Sequence, residues 1–193
     1  ADPRGTVLTE RLASRVLEDN RIGLDANRAV RVYLPPAYQR SARRFPVLYS
    51  LHNTWWSPEQ MFADGNLVKL LEQGFARGIG EFILVAADYS TANTGSIYEN
   101  SPVSGRWLEF TVDELVPFID RRFRTLPDRN SRAVVGDFFG GGGALKFAMS
   151  HADVFGVAYA LNPVAAGSGD IPLQGLQIDW RKIHAARSFA ELG

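Results

Sequence analysis

Ala133-Val134-Val135-Gly136-Asp137-Phe138-Phe139-Gly140-Gly141-Gly142-Gly143-Ala144-Leu145 is the stretch that decides how this chain folds. Its apolar start reads as a short strand buried on both faces, Gly136 permits an abrupt turn, and Leu145, Ala148 and Met149 then recur at helical spacing. A buried strand feeding directly into a helix is the connection from which α/β domains are built.

Outward from this stretch the same pattern repeats. Pro46 to Leu51, Phe82 to Ala87 and Val157 to Leu161 are further apolar bursts of strand length. Between them, Leu67, Leu70, Leu71 and Phe75, and then Phe110, Leu115, Phe118 and Ile119, fall at helical spacing. Strand and helix in alternation predict a mostly parallel sheet with helices on both faces. The N-terminal runs differ. Thr6 to Ser14 alternates, and Ala29 to Leu34 follows the turn-rich Asp25-Ala26-Asn27, so both read as antiparallel edge strands. Pro35-Pro36 ends the second, because proline lacks an amide donor and restricts the residue before it. No repeat, low-complexity tract or linker interrupts the chain, so residues 1–193 are expected to form a single α/β domain. In such a sheet ligands bind beyond the carboxyl ends of the strands. The loops there are His52 to Pro58, Asp88 to Gly105, Gly136 to Gly143 and Asn162 to Gly169.

Composition narrows the partners. Of 193 residues, 46% are hydrophobic, and 21 basic side chains balance 21 acidic ones. A formal charge of zero gives no electrostatic reason to expect nucleic acid or an anionic membrane surface. The apolar runs are far shorter than the roughly 20 residues a membrane-spanning helix needs. Without cysteine there can be no disulfide and no thiolate nucleophile or ligand. His52, His151 and His184 lack the close spacing of a helical metal pair, so no metal centre is expected. The glycines at 140–143 invite comparison with a phosphate loop, yet no Lys-Ser or Lys-Thr follows them, and no cofactor is expected. The opening Ala1-Asp2-Pro3, without methionine, suits an exported protein whose signal was cleaved after a small residue.

Several blocks together resemble the esterase family of α/β-hydrolases that includes esterase D, S-formylglutathione hydrolases, feruloyl esterases and mycolyltransferases. They are Val32-Tyr33-Leu34-Pro35-Pro36-Ala37-Tyr38, Phe45 to His52, Ser57-Pro58-Glu59-Gln60, Gly105-Arg106-Trp107, the Gly136 to Leu145 stretch, Asp153-Val154-Phe155 and Ala160-Leu161-Asn162-Pro163. The resemblance covers about residues 29–163, with 164–193 divergent. It implies an α/β-hydrolase fold, and it makes Gly136-Asp137-Phe138-Phe139-Gly140 the nucleophile elbow.

Three departures from the family pattern bear on chemistry. Phe138 stands where the resemblance places the catalytic serine, and a benzyl group can neither attack a carbonyl nor carry an acyl intermediate. After His52 the family resembles a glycine-rich strip whose backbone N–H approaches the oxyanion, whereas this chain reads Asn53-Thr54-Trp55-Trp56. The family's acid and histidine lie beyond the sixth strand, and Gly193 arrives before a full second half could be built. His184, in the polar stretch Asp179 to Ser188, is too close to Pro163 to match that histidine. The fold is therefore expected to be C-terminally incomplete, or completed by a partner chain.

No Ser-His-Asp triad can be assigned, and only Asp137 and His52 remain as weak catalytic candidates. Ser104 and Thr94-Gly95-Ser96 have no base that can be named beside them. The expected role is an esterase homologue without its serine, non-catalytic or binding a small aromatic, ester or sugar-like ligand. The residues expected to line that site are Asn53, Thr54, Trp55, Trp56, Trp107, Phe138 and Phe139, since rings give large contact area at low entropic cost. Phe138 and Phe139 filling the cleft as extra core is the plainer expectation. An ester hydrolase with a non-standard or partner-completed site, and an assembly module using an open sheet edge, are the alternatives.

Overall fold

The structure, a computed structural model, describes residues 4–91 and 95–164. β1 (Thr6–Ala13) and β2 (Asn27–Leu34) pair antiparallel, with Thr6 opposite Leu34 and Ala13 opposite Asn27. The segment joining them is more than a turn, because it drops Leu17 fully into the core. After the short helix α1 (Pro36–Arg40) come β3 (Val47–Leu51), α2 (Pro58–Phe62), α3 (Asn66–Ala76) and β4 (Ile83–Ala87). A small hairpin, β5 (Asn100–Ser101) and β6 (Gly105–Arg106), leads into α4 (Trp107–Glu109). That helix runs through a π-helical segment, Phe110–Leu115, into α5 (Val116–Arg122). β7 (Arg132–Asp137), α6 (Phe139–Ser150) and β8 (Val157–Leu161) complete the described chain.

The six main strands form one sheet in the order β1-β2-β4-β3-β7-β8. β4, β3, β7 and β8 are parallel, and β2 joins β4 antiparallel. The apolar bursts become the parallel strands and the alternating N-terminal runs become the antiparallel pair. The hairpin carries no periodic signal that sequence reading could have used, and the helical spacing read from Phe110 to Ile119 does not distinguish the π-helical turn from an α-helical one.

Helices cover both faces. On one, α4, α5 and α6 pack Trp107, Phe110, Leu115, Ile119, Ala144 and Phe147 against Val47, Tyr49, Val85 and Val134. On the other, α2 and α3 place Phe62, Leu67, Leu71 and Phe75 against Tyr33, Leu84 and Ala86. This second layer stops short of β7 and β8. Val157, Tyr159 and Leu161 of β8 are 58%, 61% and 41% exposed, while Ala158 and Ala160 turn toward the core.

Strand order also fixes where a site can form. The chain leaves β3 toward β4 on one side and leaves β7 toward β8 on the other. The carboxyl ends of β3 and β7 therefore flank a crevice, the switch point at which open α/β sheets bind ligands. His52 follows β3 there, and Phe138 follows β7.

Candidate functional site at the elbow between β7 and α6

Phe138 joins β7 to α6 with φ 56° and ψ −113°, a left-side conformation that a side-chain-bearing residue rarely adopts. Its neighbours make that turn possible. A Cβ on Gly136 would lie 2.1 Å from the Gly140 carbonyl carbon, and one on Gly140 would lie 2.2 Å from the Leu51 carbonyl oxygen. Helix, elbow strand and β3 thus meet backbone to backbone. The Phe138 N–H donates to Leu161 O at 3.0 Å, and its carbonyl accepts from Gly142 N and Val164 N at 3.0 Å each. The sharp turn is held on both sides. Gly142 and Gly143 meet Val164 and the Tyr98 ring in the same close way, so the glycine run serves packing.

The elbow rings find partners in the loop after β3. Trp55 stacks on Phe138 with centroids 5.9 Å apart and planes 30° apart, and it meets Phe139 edge-on at 5.9 Å. Phe138 and Phe139 are themselves edge to face at 4.9 Å. These are favourable geometries for aromatic pairs. Both phenylalanines are half-buried, while Trp55, lying over them, is 64% exposed. The space directly above the elbow is occupied by the chain's own side chains.

An open cavity of about 330 Å³ lies beside this cluster. Its walls are Ser50, Leu51, Val135 and Leu161 of the sheet, Met61 of α2, and Trp56. His52, Asn53, Gly136 and Asp137 complete the lining. Adjacent tryptophans are thereby divided between two tasks: Trp55 covers the elbow, and Trp56, 55% exposed, faces the cavity. Ser50 and Met61 escaped sequence reading, although strand alternation between Tyr49 and Leu51 places Ser50 on the face that α4 to α6 leave free.

His52 is buried and committed. Its Nε2 accepts from the Tyr89 N–H at 2.9 Å, so its Nδ1 carries the hydrogen and donates to Asn53 O at 2.8 Å. Burial pushes its pKa below the ordinary value of 6.5, and the hydrogen bond to Asn53 and the nearby Asp88 carboxylate oppose this more weakly. The Tyr98 hydroxyl donates to the His52 carbonyl, and Tyr89 and Tyr98 pack against the imidazole. An imidazole with both nitrogens engaged orders the end of β3 and has no free lone pair for proton transfer. Asn53 O also accepts from Trp56 N at 2.9 Å, closing the following loop into a turn. The Thr54 hydroxyl donates to Asn53 Oδ1 at 3.2 Å.

Asp137 is exposed at the carboxyl end of β7, where Asn162 Nδ2 approaches its Oδ1 at 3.5 Å. Trp107 requires a correction: it is fully buried and lines no cleft. Its indole packs among Tyr89 and Phe110 beneath the Arg28 guanidinium, which lies 5.5 Å from the ring centroid and pairs with Asp88. Burying so large a ring stabilises the layer of α4 more than surface placement would, which is why it sits there. Ser104 lies in the β5–β6 hairpin, whose Val103 carbonyl accepts from Arg21 N. The Ser96 hydroxyl accepts from Tyr98 N at 3.2 Å. His151 caps the carboxyl end of α6. Thr94 and His184 lie outside the described residues.

Mixed sheet, strand order and a strained strand-to-helix elbow at the switch point define an α/β-hydrolase. Within that class, a family model described as "Putative esterase" matches residues 23–187, and the chain belongs to this esterase family. Esterase Rv1288 of Mycobacterium tuberculosis is 32% identical over 161 residues, 83% of this chain and 34% of its own length. An endo-1,4-beta-xylanase/feruloyl esterase of Xylanibacter ruminicola is 31% identical over 134 residues, 65% of this chain and 18% of its own. This chain thus spans about a third of the length of the first of these relatives. Among solved structures, a ferulic acid esterase superposes with TM-score 0.76 at 29% identity, covering 91% of this chain and 63% of that one. An S-formylglutathione hydrolase of Staphylococcus aureus, at TM-score 0.64 and 14% identity over 83% of this chain and 58% of its own, shares the fold.

Proposed function

We propose that this chain is an esterase-family homologue that does not hydrolyse esters and instead binds a small aromatic, ester or sugar-like ligand in the cavity beside the elbow. The observation that carries this reading is Phe138 itself, held in the elbow conformation with its ring stacked under Trp55. No hydroxyl or thiol stands at position 138 to accept an acyl group, and His52, the nearest imidazole among the described residues, has both nitrogens bonded. Trp55, packed on Phe138 and Phe139, also occupies the approach a carbonyl would take to that turn. Trp56, Leu51, Met61 and Leu161 give the neighbouring cavity the mainly apolar lining of a small-molecule site.

The 193-residue chain is expected to release no p-nitrophenol from p-nitrophenyl acetate above the buffer rate, and to resist labelling by a fluorophosphonate. Turnover that disappears in Asp137→Asn would overturn the reading and favour an ester hydrolase with a non-standard site, the activity in the names of its relatives.

A second reading concerns assembly. Val157, Tyr159 and Leu161 expose apolar surface on β8, whose outer edge is unpaired among the described residues. Edges of this kind recruit a second chain. Sedimentation is expected to give a species heavier than the 21.3 kDa monomer, and Tyr159→Lys to lighten it. A native chain that sediments as a monomer sinks this reading.

A further inference from the structure

The cavity beside the elbow carries charge information that its volume does not. Among the described residues its lining contains one formally charged side chain, Asp137, and neither lysine nor arginine. Several of the remaining polar atoms are engaged within the chain. His52 has both nitrogens bonded, Asn53 Oδ1 accepts from Thr54, and Ser50 Oγ is directed at Met61 Sδ, 3.8 Å away. Among the described residues Asp137 has a single long contact, to Asn162, and so keeps most of its acceptor capacity. Trp56 presents an exposed indole to the same space, and indole is the side chain whose face attracts cations best. The amino end of α6, which would favour anions, is not part of the lining, because Phe138 and Phe139 stand over it with Trp55.

We infer that this cavity selects a small organic cation: an aromatic or aliphatic body of about one ring, bearing a primary ammonium group. The ammonium donates to the Asp137 carboxylate and lies against the Trp56 face, while the body fills the apolar pocket formed by Leu51, Val135, Met61 and Leu161. At about 330 Å³ the space admits one ring with a short chain, near the lower end of small-molecule sites. A ligand carrying a carboxylate would meet Asp137 with no compensating cation among the described lining residues. The inference rests on the binding reading proposed above and specifies the ligand's charge.

Three probes of similar size and different charge test it: phenethylamine, phenethyl alcohol and phenylacetate, titrated into the full 193-residue chain and followed by tryptophan fluorescence and amide chemical shifts. The amine is expected to bind about fivefold more tightly than the alcohol, as a partly exposed ion pair allows, and the carboxylate more weakly than both. Raising the salt concentration should narrow the gap between amine and alcohol. Asp137→Asn should bring the amine to about the level of the alcohol, and Trp56→Ala should weaken the amine. Equal affinity for amine and alcohol, or tightest binding of the carboxylate, overturns the charge selection while leaving the binding site standing. Failure of all three probes overturns both this inference and the binding reading.

Discussion

Replacing Phe138 by glycine and by alanine in parallel separates the strain of the elbow from the packing of its ring. Both substitutions remove the stacked contact with Trp55 and the edge contact with Phe139, so both lose the same aromatic pairs, each worth about 0.5–1.5 kcal/mol. They differ in the backbone. At an ordinary position glycine is less stable than alanine by roughly 0.5–1 kcal/mol, because it loses more conformational freedom on folding. At φ 56° and ψ −113° alanine keeps a strain of about 1–3 kcal/mol that glycine does not feel. Glycine should therefore come out ahead of alanine by about 1 kcal/mol, the reverse of the usual order. Phe138→Ala should stand about 1–3 kcal/mol below the native chain. Urea denaturation followed by fluorescence measures both differences, and a gap of 1 kcal/mol corresponds to about 2–4 °C in Tm for a chain of this size. An alanine variant as stable as the glycine variant, or more so, would refute the claim that the elbow conformation is strained.

Other substitutions probe the surrounding construction. Trp107→Ala should cost about 3–5 kcal/mol, as truncation of a buried ring does, and leave probe binding intact, whereas Trp56→Ala should weaken binding with a stability change within about 0.5 kcal/mol. Gly140→Ala should destabilise by at least about 1–3 kcal/mol, because the new Cβ would meet the Leu51 carbonyl oxygen at 2.2 Å; calorimetry decides it. His52 sets a pH dependence. Its folded pKa lies below 6.5, so its contribution is fully present above that pH and is lost as pH falls and the unfolded chain takes up the proton. The loss between pH 6.5 and pH 5 is at most about 2 kcal/mol, and comparing His52→Gln with the native chain in urea titrations at both pH values isolates it from the other histidines.

The parallel strands and the elbow were legible because the signal for each is local. Four apolar bursts mark the parallel strands, although only β4 is buried at every position and β8 exposes one face, and Gly136 and Gly140 mark where backbones must touch. The side-chain groupings were not. Trp107 sits beside loop residues in the sequence and was placed with the cleft, yet its indole enters the core between Tyr89 and Phe110. Tyr89 and Tyr98, which fix the orientation of His52, fall in a stretch without usable periodicity, and Tyr98 reaches the His52 carbonyl from a left-side backbone conformation. The hairpin of β5 and β6 is too short to register as a pattern.

The sequence by itself determined the class of fold and the phenylalanine at position 138 of the elbow, since hydrophobic period and residue identity are properties of short stretches. The tertiary structure decided what became of the space that a serine would have left. Whether Phe138 and Phe139 opened a cleft or filled one depended on the distance between the loops after β3 and β7, which are far apart in the chain and meet only through sheet pairing. Once β3 and β7 lie side by side, Trp55 comes down on the elbow rings, and the open volume forms beside them, under Trp56 and next to Asp137.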